Sequence, residues 1–131
     1  MAKENVQVSY YSNGQLEWRI PLDEARKKHG DAVQRYMSGE VKKTKTFVHG
    51  KIVGQEIQYY RDGVIAHTLD FVKGAKQGYY QTFYPTGEIE SQTEYFEGEM
   101  IGEIIRWNTN GDEIHRARTR QSQAVLPGDN R

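Results

Sequence analysis

At 131 residues the chain has the length of one domain, because folded domains run from about 50 to 250 residues. Eighteen basic and eighteen acidic side chains cancel to zero formal charge, and apolar residues make up 36% with a mean hydropathy of −0.87, which excludes a spanning helix of about 20 apolar residues and argues against a uniformly basic nucleic-acid binder. The chain has no cysteine, so a disulfide framework, a thiolate zinc site and a cysteine nucleophile are all excluded.

The first residues, Met1 to Asn5, are polar and lead into an alternating stretch without the apolar run of a secretory signal, so a cytoplasmic location is expected. Tyr10-Tyr11-Ser12-Asn13-Gly14-Gln15-Leu16 opens a unit that returns along the whole chain, displaced here by 25 residues instead of 24 because one residue is inserted before Gly30. The segment from Pro21 to Gly30 has an acidic start, a basic end and a terminal glycine. Residues 22–29 therefore read either as a short helix or as a degenerate strand and loop.

From Gly30 onward the period is strict. Gly30, Gly54, Gly78 and Gly102 are 24 apart, as are Gly39, Gly63, Gly87 and Gly111, and Gly50, Gly74 and Gly98. Aromatic residues obey the same spacing: Tyr36, Tyr60 and Tyr84; Tyr59, Phe83 and Trp107; Phe47, Phe71 and Tyr95. A fixed period of this length marks a repeat architecture in which each unit is one supersecondary element. X-Gly steps such as Asn13-Gly14 and Asp62-Gly63, lying between alternating segments, predict two-residue type I′ hairpin turns, and the second glycine pair of each unit predicts a looser return turn. Ile65, His67, Leu69 and Phe71 alternate with Val64, Ala66, Thr68 and Asp70, the pattern of a strand with one drier face.

The fold class that follows is all-β: an antiparallel meander of about five 24-residue hairpins forming one domain over residues 1–117. Beyond it, residues 118–131 lose the repeat and are expected to be a flexible tail.

Catalytic and metal chemistry find no positive signal. The four histidines, His29, His49, His67 and His115, are spread along the chain, and His67 and His115 lie two units apart, about 19 Å in a meander, too far to share a metal. No phosphate-binding G-x-x-x-x-G-K-[ST] and no G-x-S-x-G nucleophile elbow occurs. An enzyme is not expected, nor a cofactor or a metal.

The unit exemplified by Gly54-Gln55-Glu56-Ile57-Gln58-Tyr59-Tyr60-Arg61-Asp62-Gly63, followed by Phe71-Val72-Lys73-Gly74, resembles the MORN repeat (membrane occupation and recognition nexus), and more closely its bacterial variant. The resemblance spans roughly residues 8 to 115; the inserted residue in the first unit and Asn108 in the tyrosine column of the fifth depart from it. Small bacterial proteins of this kind resemble antitoxins or immunity proteins. The resemblance thus implies a protein that binds and sterically neutralises a cognate toxin. The motif specifies the hairpin and not the partner, so a scaffold module is the second reading and an anionic membrane surface, suggested by the basic residues from Arg26 to Lys45, the third.

Charge supplies the candidate interface. Residues 54–105 carry three basic against nine acidic side chains. Glu88, Glu90, Glu94, Glu97, Glu99 and Glu103 fall in one run before Arg106, a run that reads either as a solvated, charge-protected edge or as a surface steering a basic toxin. Tyr59, Tyr84 and Trp107 are the aromatic candidates for the same contact, since tyrosine and tryptophan are favoured interface anchors. The assembly expected is a monomer, or a weak homodimer through open sheet edges, with no nucleic acid or membrane as partner.

Overall fold

The computed structural model describes residues 5–118. The predicted tail lies outside the described residues except for Arg118, which ends the last strand. Ten strands follow in order: β1 (Val6–Tyr10), β2 (Leu16–Pro21), β3 (Gly30–Arg35), β4 (Val41–Val48), β5 (Lys51–Tyr59), β6 (Ile65–Val72), β7 (Ala75–Phe83), β8 (Ile89–Phe96), β9 (Glu99–Trp107) and β10 (Glu113–Arg118). They pair antiparallel with their chain neighbours in one open sheet ordered β1 to β10. The meander of five hairpins is the fold.

Two kinds of turn alternate, with their roles opposite to those the glycine patterns predict. The X-Gly steps expected to be type I′ close three-residue loops: Tyr60 N–H donates to Val64 O at 2.7 Å and Gly63 N–H to Tyr60 O at 2.9 Å, and of the loop residues only Gly63 has a positive φ, 92°. The return turns are the tight ones. At His49-Gly50 both residues are left-handed, with φ 46° and 92°, and Lys73-Gly74 and Glu97-Gly98 repeat this, the signature of type I′. A type I turn ending in a left-handed glycine and a type I′ turn both accept an X-Gly step. The dipeptide alone therefore does not separate them.

Residues 22–28 form no helix. Leu22 bridges to Lys28, Asp23 N–H donates to Lys27 O at 2.8 Å, and Arg26 takes the left-handed position with φ 66°. The inserted residue thus enlarges this return turn from two residues to three. The acidic start that resembled a helix cap is Asp23 closing the loop, its Oδ1 accepting the amides of Ala25 and Lys27, each at 2.9 Å.

Residues directly opposite on paired strands share a face, and the register defines both faces across all ten strands. The front row runs Ser9, Trp18, Gln34, Lys43, Gln58, His67, Thr82, Ser91, Arg106 and His115. The back row runs Val8, Arg19, Val33, Thr44, Ile57, Thr68, Gln81, Gln92, Ile105 and Arg116. After each three-residue loop the returning strand carries one residue more than its partner. Thus Gln58 faces His67 while Tyr59 faces Ile65, leaving Ala66 extra, which interrupts the predicted period-two alternation between Ile65 and His67. Near Gly54 the mismatch is larger, since Thr44 pairs with Ile57 and Thr46 with Val53.

A single sheet layer buries little. Ile20, Ala32 and Leu69 are the buried apolar side chains among the described residues, joined by Glu56, Thr68 and Thr93. Periodic hydrogen bonds between units supplement this thin core. At one end of the hairpins Tyr11 Oη donates to Arg35 O, Tyr36 to Tyr59 O, Tyr60 to Phe83 O and Tyr84 to Trp107 O, at 2.5–2.6 Å. At the other end Gly50, Gly74 and Gly98 donate their amides to Lys28, Ile52 and Lys76 carbonyls at 2.7–2.9 Å. Asn108, which replaces tyrosine in the last unit, turns its carboxamide oxygen onto the amides of Asn110 and Asp112 instead.

The ladder predicts a measurable effect. Tyr60→Phe removes one half-buried hydrogen bond and leaves the ring, so chemical denaturation should show a loss of about 1 kcal/mol at unchanged m-value. An unchanged midpoint would mean that the hydroxyl contributes nothing to joining adjacent units.

Candidate functional site

The front face carries the densest set of charged and aromatic side chains. Its central carboxylate is Glu56, whose side chain is only 10% exposed and lies 3.3 Å from Lys45 Nζ and 3.7 Å from His67 Nε2. These three meet because β5 places Glu56 directly across from Leu69 on β6, two residues from His67, while Lys45 arrives on β4 opposite Ala32. His67 holds the Glu56 carboxyl below its ordinary range, with Lys45 and Lys43 adding to the effect and burial opposing it. His67 also packs edge-on against Tyr80, ring centres 5.5 Å apart.

Around this centre lysines lie over rings. Lys45 sits 5.6 Å from the Trp18 ring centre, Lys28 5.2 Å from Phe47 and Lys76 4.9 Å from Tyr95, within the range of cation–π attraction. Two shallow depressions follow from this packing, one of about 290 Å³ bounded by Trp18, Ile20, Lys28, Lys45 and Phe47, the other of about 280 Å³ bounded by Lys43, Glu56, His67, Lys76, Tyr80 and Tyr95. Lys43 and Lys45 stand on the same strand between them. Lysine stems over aromatic rings expose charge at the rim of an apolar floor, an arrangement suited to a partner that is apolar in part and acidic in part.

The acidic run does not assemble into one surface. Glu88 sits at the β7–β8 loop and accepts a hydrogen bond from the Thr86 hydroxyl, whereas Glu97 and Glu99 flank the β8–β9 turn. The eight residues of β8 hold these two groups apart, roughly 26 Å at ~3.3 Å per residue. Glu90 is 3.6 Å from Arg106 and accepts from the Thr82 hydroxyl, Glu103 pairs with Arg116, and Glu94 faces Tyr79 across β7 and Ile101 across β9. Glu90 and Glu103 are thereby paired with arginines on the sheet surface.

The aromatic candidates also separate. Tyr84 spends its hydroxyl on Trp107 O, and Trp107 stands opposite Glu113 next to the open edge strand. Tyr59 lines a depression of about 310 Å³ with Val41, Thr44 and Arg61, on the back face. Of the front-face residues, Trp18, Glu56 and Tyr80 are ones the sequence does not mark as a site, while His67 reads there only as a rejected metal ligand and Lys45 only as part of the basic segment. The repeat columns were a usable signal: Glu56 stands where the other units have Gln7, Ala32, Tyr80 and Ile104, and the one charged residue of a column marks a position with its own chemistry.

Comparison with protein families bears on the unit itself. Residues 76–97 match the MORN repeat variant. The matched stretch is β7, its loop and β8, and the turns and register of the other hairpins repeat the geometry of this one. No curated protein matches the chain.

Proposed function

We propose that this chain is a non-catalytic, cytoplasmic protein-binding module of the immunity type, which binds a cognate protein toxin and neutralises it sterically without a cofactor. The observation that carries the binding role is the front face, where Lys28, Lys43, Lys45 and Lys76 surround aromatic floors and Glu56 is the carboxylate between them. Such a face favours an acidic partner surface, so the contact is assigned to these residues and not to the dispersed glutamates. The family resemblance of the unit supports partner binding in general, and the toxin is the reading of that resemblance which a small repeat-only chain suggests.

The test starts from a pull-down with the full chain from its native cells, followed by calorimetric titration of the main partner and of the flanking-gene product. A single one-to-one partner of nanomolar affinity, inactive while bound, is the expected result. Lys43→Glu with Lys76→Glu should slow association about tenfold or more at low salt, while Glu94→Lys with Glu97→Lys should leave it within about twofold. Several weak partners, or none, would favour a scaffold instead, a reading to which the edges of β1 and β10, each paired on one side only among the described residues, would then lend self-association.

A further inference from the structure

Three residues that depart from their repeat columns meet at one point. His29 stands where later units have Val53, Gln77 and Ile101, His49 where they have Lys73 and Glu97, and Asp23, allowing for the inserted residue, where they have Val48, Val72 and Phe96. They come from the β2–β3 turn, the entry to β3 and the β4–β5 turn. One ligand atom from each lies within 4.8 Å of the other two.

We propose that Asp23, His29 and His49 form a binding site for a single borderline transition-metal cation of the Zn²⁺ class, which ties the first return turn to the second. Two imidazole nitrogens and one carboxylate oxygen are a donor set that zinc accepts at about 2.0–2.2 Å, with water completing the tetrahedron, whereas Ca²⁺ and Mg²⁺ require oxygen ligands. Asp23 is already oriented, because its Oδ1 accepts the amides of Ala25 and Lys27 at 2.9 Å and its Oδ2 points at His49 Nδ1 at 2.8 Å. The His29 ring is likewise held, stacked on His49 at 4.4 Å between centres with Nδ1 accepting the His49 amide at 3.0 Å.

Coordination exchanges hydrogen bonds for metal bonds. The metal takes the place of the proton between Asp23 Oδ2 and His49 Nδ1, which passes to His49 Nε2 or to solvent, and a ring nitrogen of His29 supplies the third bond. Ligands on tetrahedral zinc stand about 3.3 Å apart given bonds of ~2.05 Å, so Asp23 Oδ2 and His49 Nδ1 need to separate by about 0.5 Å. His49 is 68% exposed in its side chain and can supply that movement and the route of entry.

The test uses the full chain with any affinity tag removed. Titration with Zn²⁺ at pH 7.5 should show one saturable site per chain, with a rise in melting temperature that a chelator reverses and that Mg²⁺ does not produce. His49→Lys and His29→Val install the residues other units carry at those positions, preserving the hairpins, and each should weaken Zn²⁺ binding by about tenfold or more. His67→Gln and His115→Gln should leave it unchanged. Absence of saturable binding, or equal binding by His49→Lys and His29→Val, would overturn the proposal, as would a loss on changing His67 or His115.

Discussion

Gly78→Ala is expected to destabilise the fold by about 2–4 kcal/mol, whereas Gly54→Ala, one unit earlier in the same column, should cost about 1 kcal/mol. Both glycines have positive φ, 106° and 71°, so both substitutions strain an L-residue. They differ in what the new methyl meets. At Gly54 no heavy atom lies within 4 Å, but at Gly78 the methyl carbon would stand 2.8 Å from Asp70 Oδ2 and 3.1 Å from Asp70 Cβ. The Asp70 carboxylate can swing aside only by giving up the bonds that Gln55 Nε2 donates to its Oδ1 at 3.2 Å and Tyr79 N–H to its Oδ2 at 3.4 Å, and its Cβ moves only with the backbone. Urea denaturation of the two variants in parallel measures the difference, and equal losses would mean that backbone strain alone governs the column. Adding Asp70→Ala to Gly78→Ala should recover part of the loss, since the carboxylate, which holds the nearest colliding atom, is then gone and only the 3.1 Å contact with Cβ remains.

The contrast between these glycines also explains how far the sequence is legible. Columns recur every 24 residues because each hairpin needs left-handed backbone at the same places, and glycine supplies it with little strain; strand order, hairpin number and the tyrosine columns follow directly. Turn types do not, since Asp62-Gly63 and Lys73-Gly74 are both X-Gly steps, yet Lys73 is left-handed and Asp62 is not, according to how many residues the flanking strands leave unpaired. The acidic run is dispersed for a geometric reason: neighbours along the chain, such as Glu90 and Glu97, are carried to opposite ends of β8, while Lys45, Glu56 and His67, up to 22 positions apart, converge. That convergence depends on the extra residues around Gly54 and Ala66, which shift the register in a way that alternation alone does not reveal. His29 and His49, which read as spread along the chain, come together because they meet across adjacent return turns and not within one repeat column.

The second large effect is expected at Glu56. Glu56→Ala should cost about 1–3 kcal/mol, less than the 3–5 typical of breaking a fully buried pair, because Lys45 is 27% exposed and keeps part of its hydration. Glu56→Leu should cost less than Glu56→Ala, since it fills the space opposite Leu69 with apolar surface and leaves Lys45 free to turn outward. The pH dependence separates charge from packing. His67, Lys45 and Lys43 hold the carboxyl below its ordinary value of 4.5, so the native state prefers the ionised form more than the unfolded chain does. The stabilisation is therefore complete above about pH 4.5 and is lost as pH falls through the lower, folded-state value. Denaturation midpoints measured from pH 6 down to pH 3 should fall more steeply for the native sequence than for Glu56→Leu. Parallel curves would show that Glu56 is held by packing alone, and the lysines of the front face would then owe their arrangement to the rings beneath them.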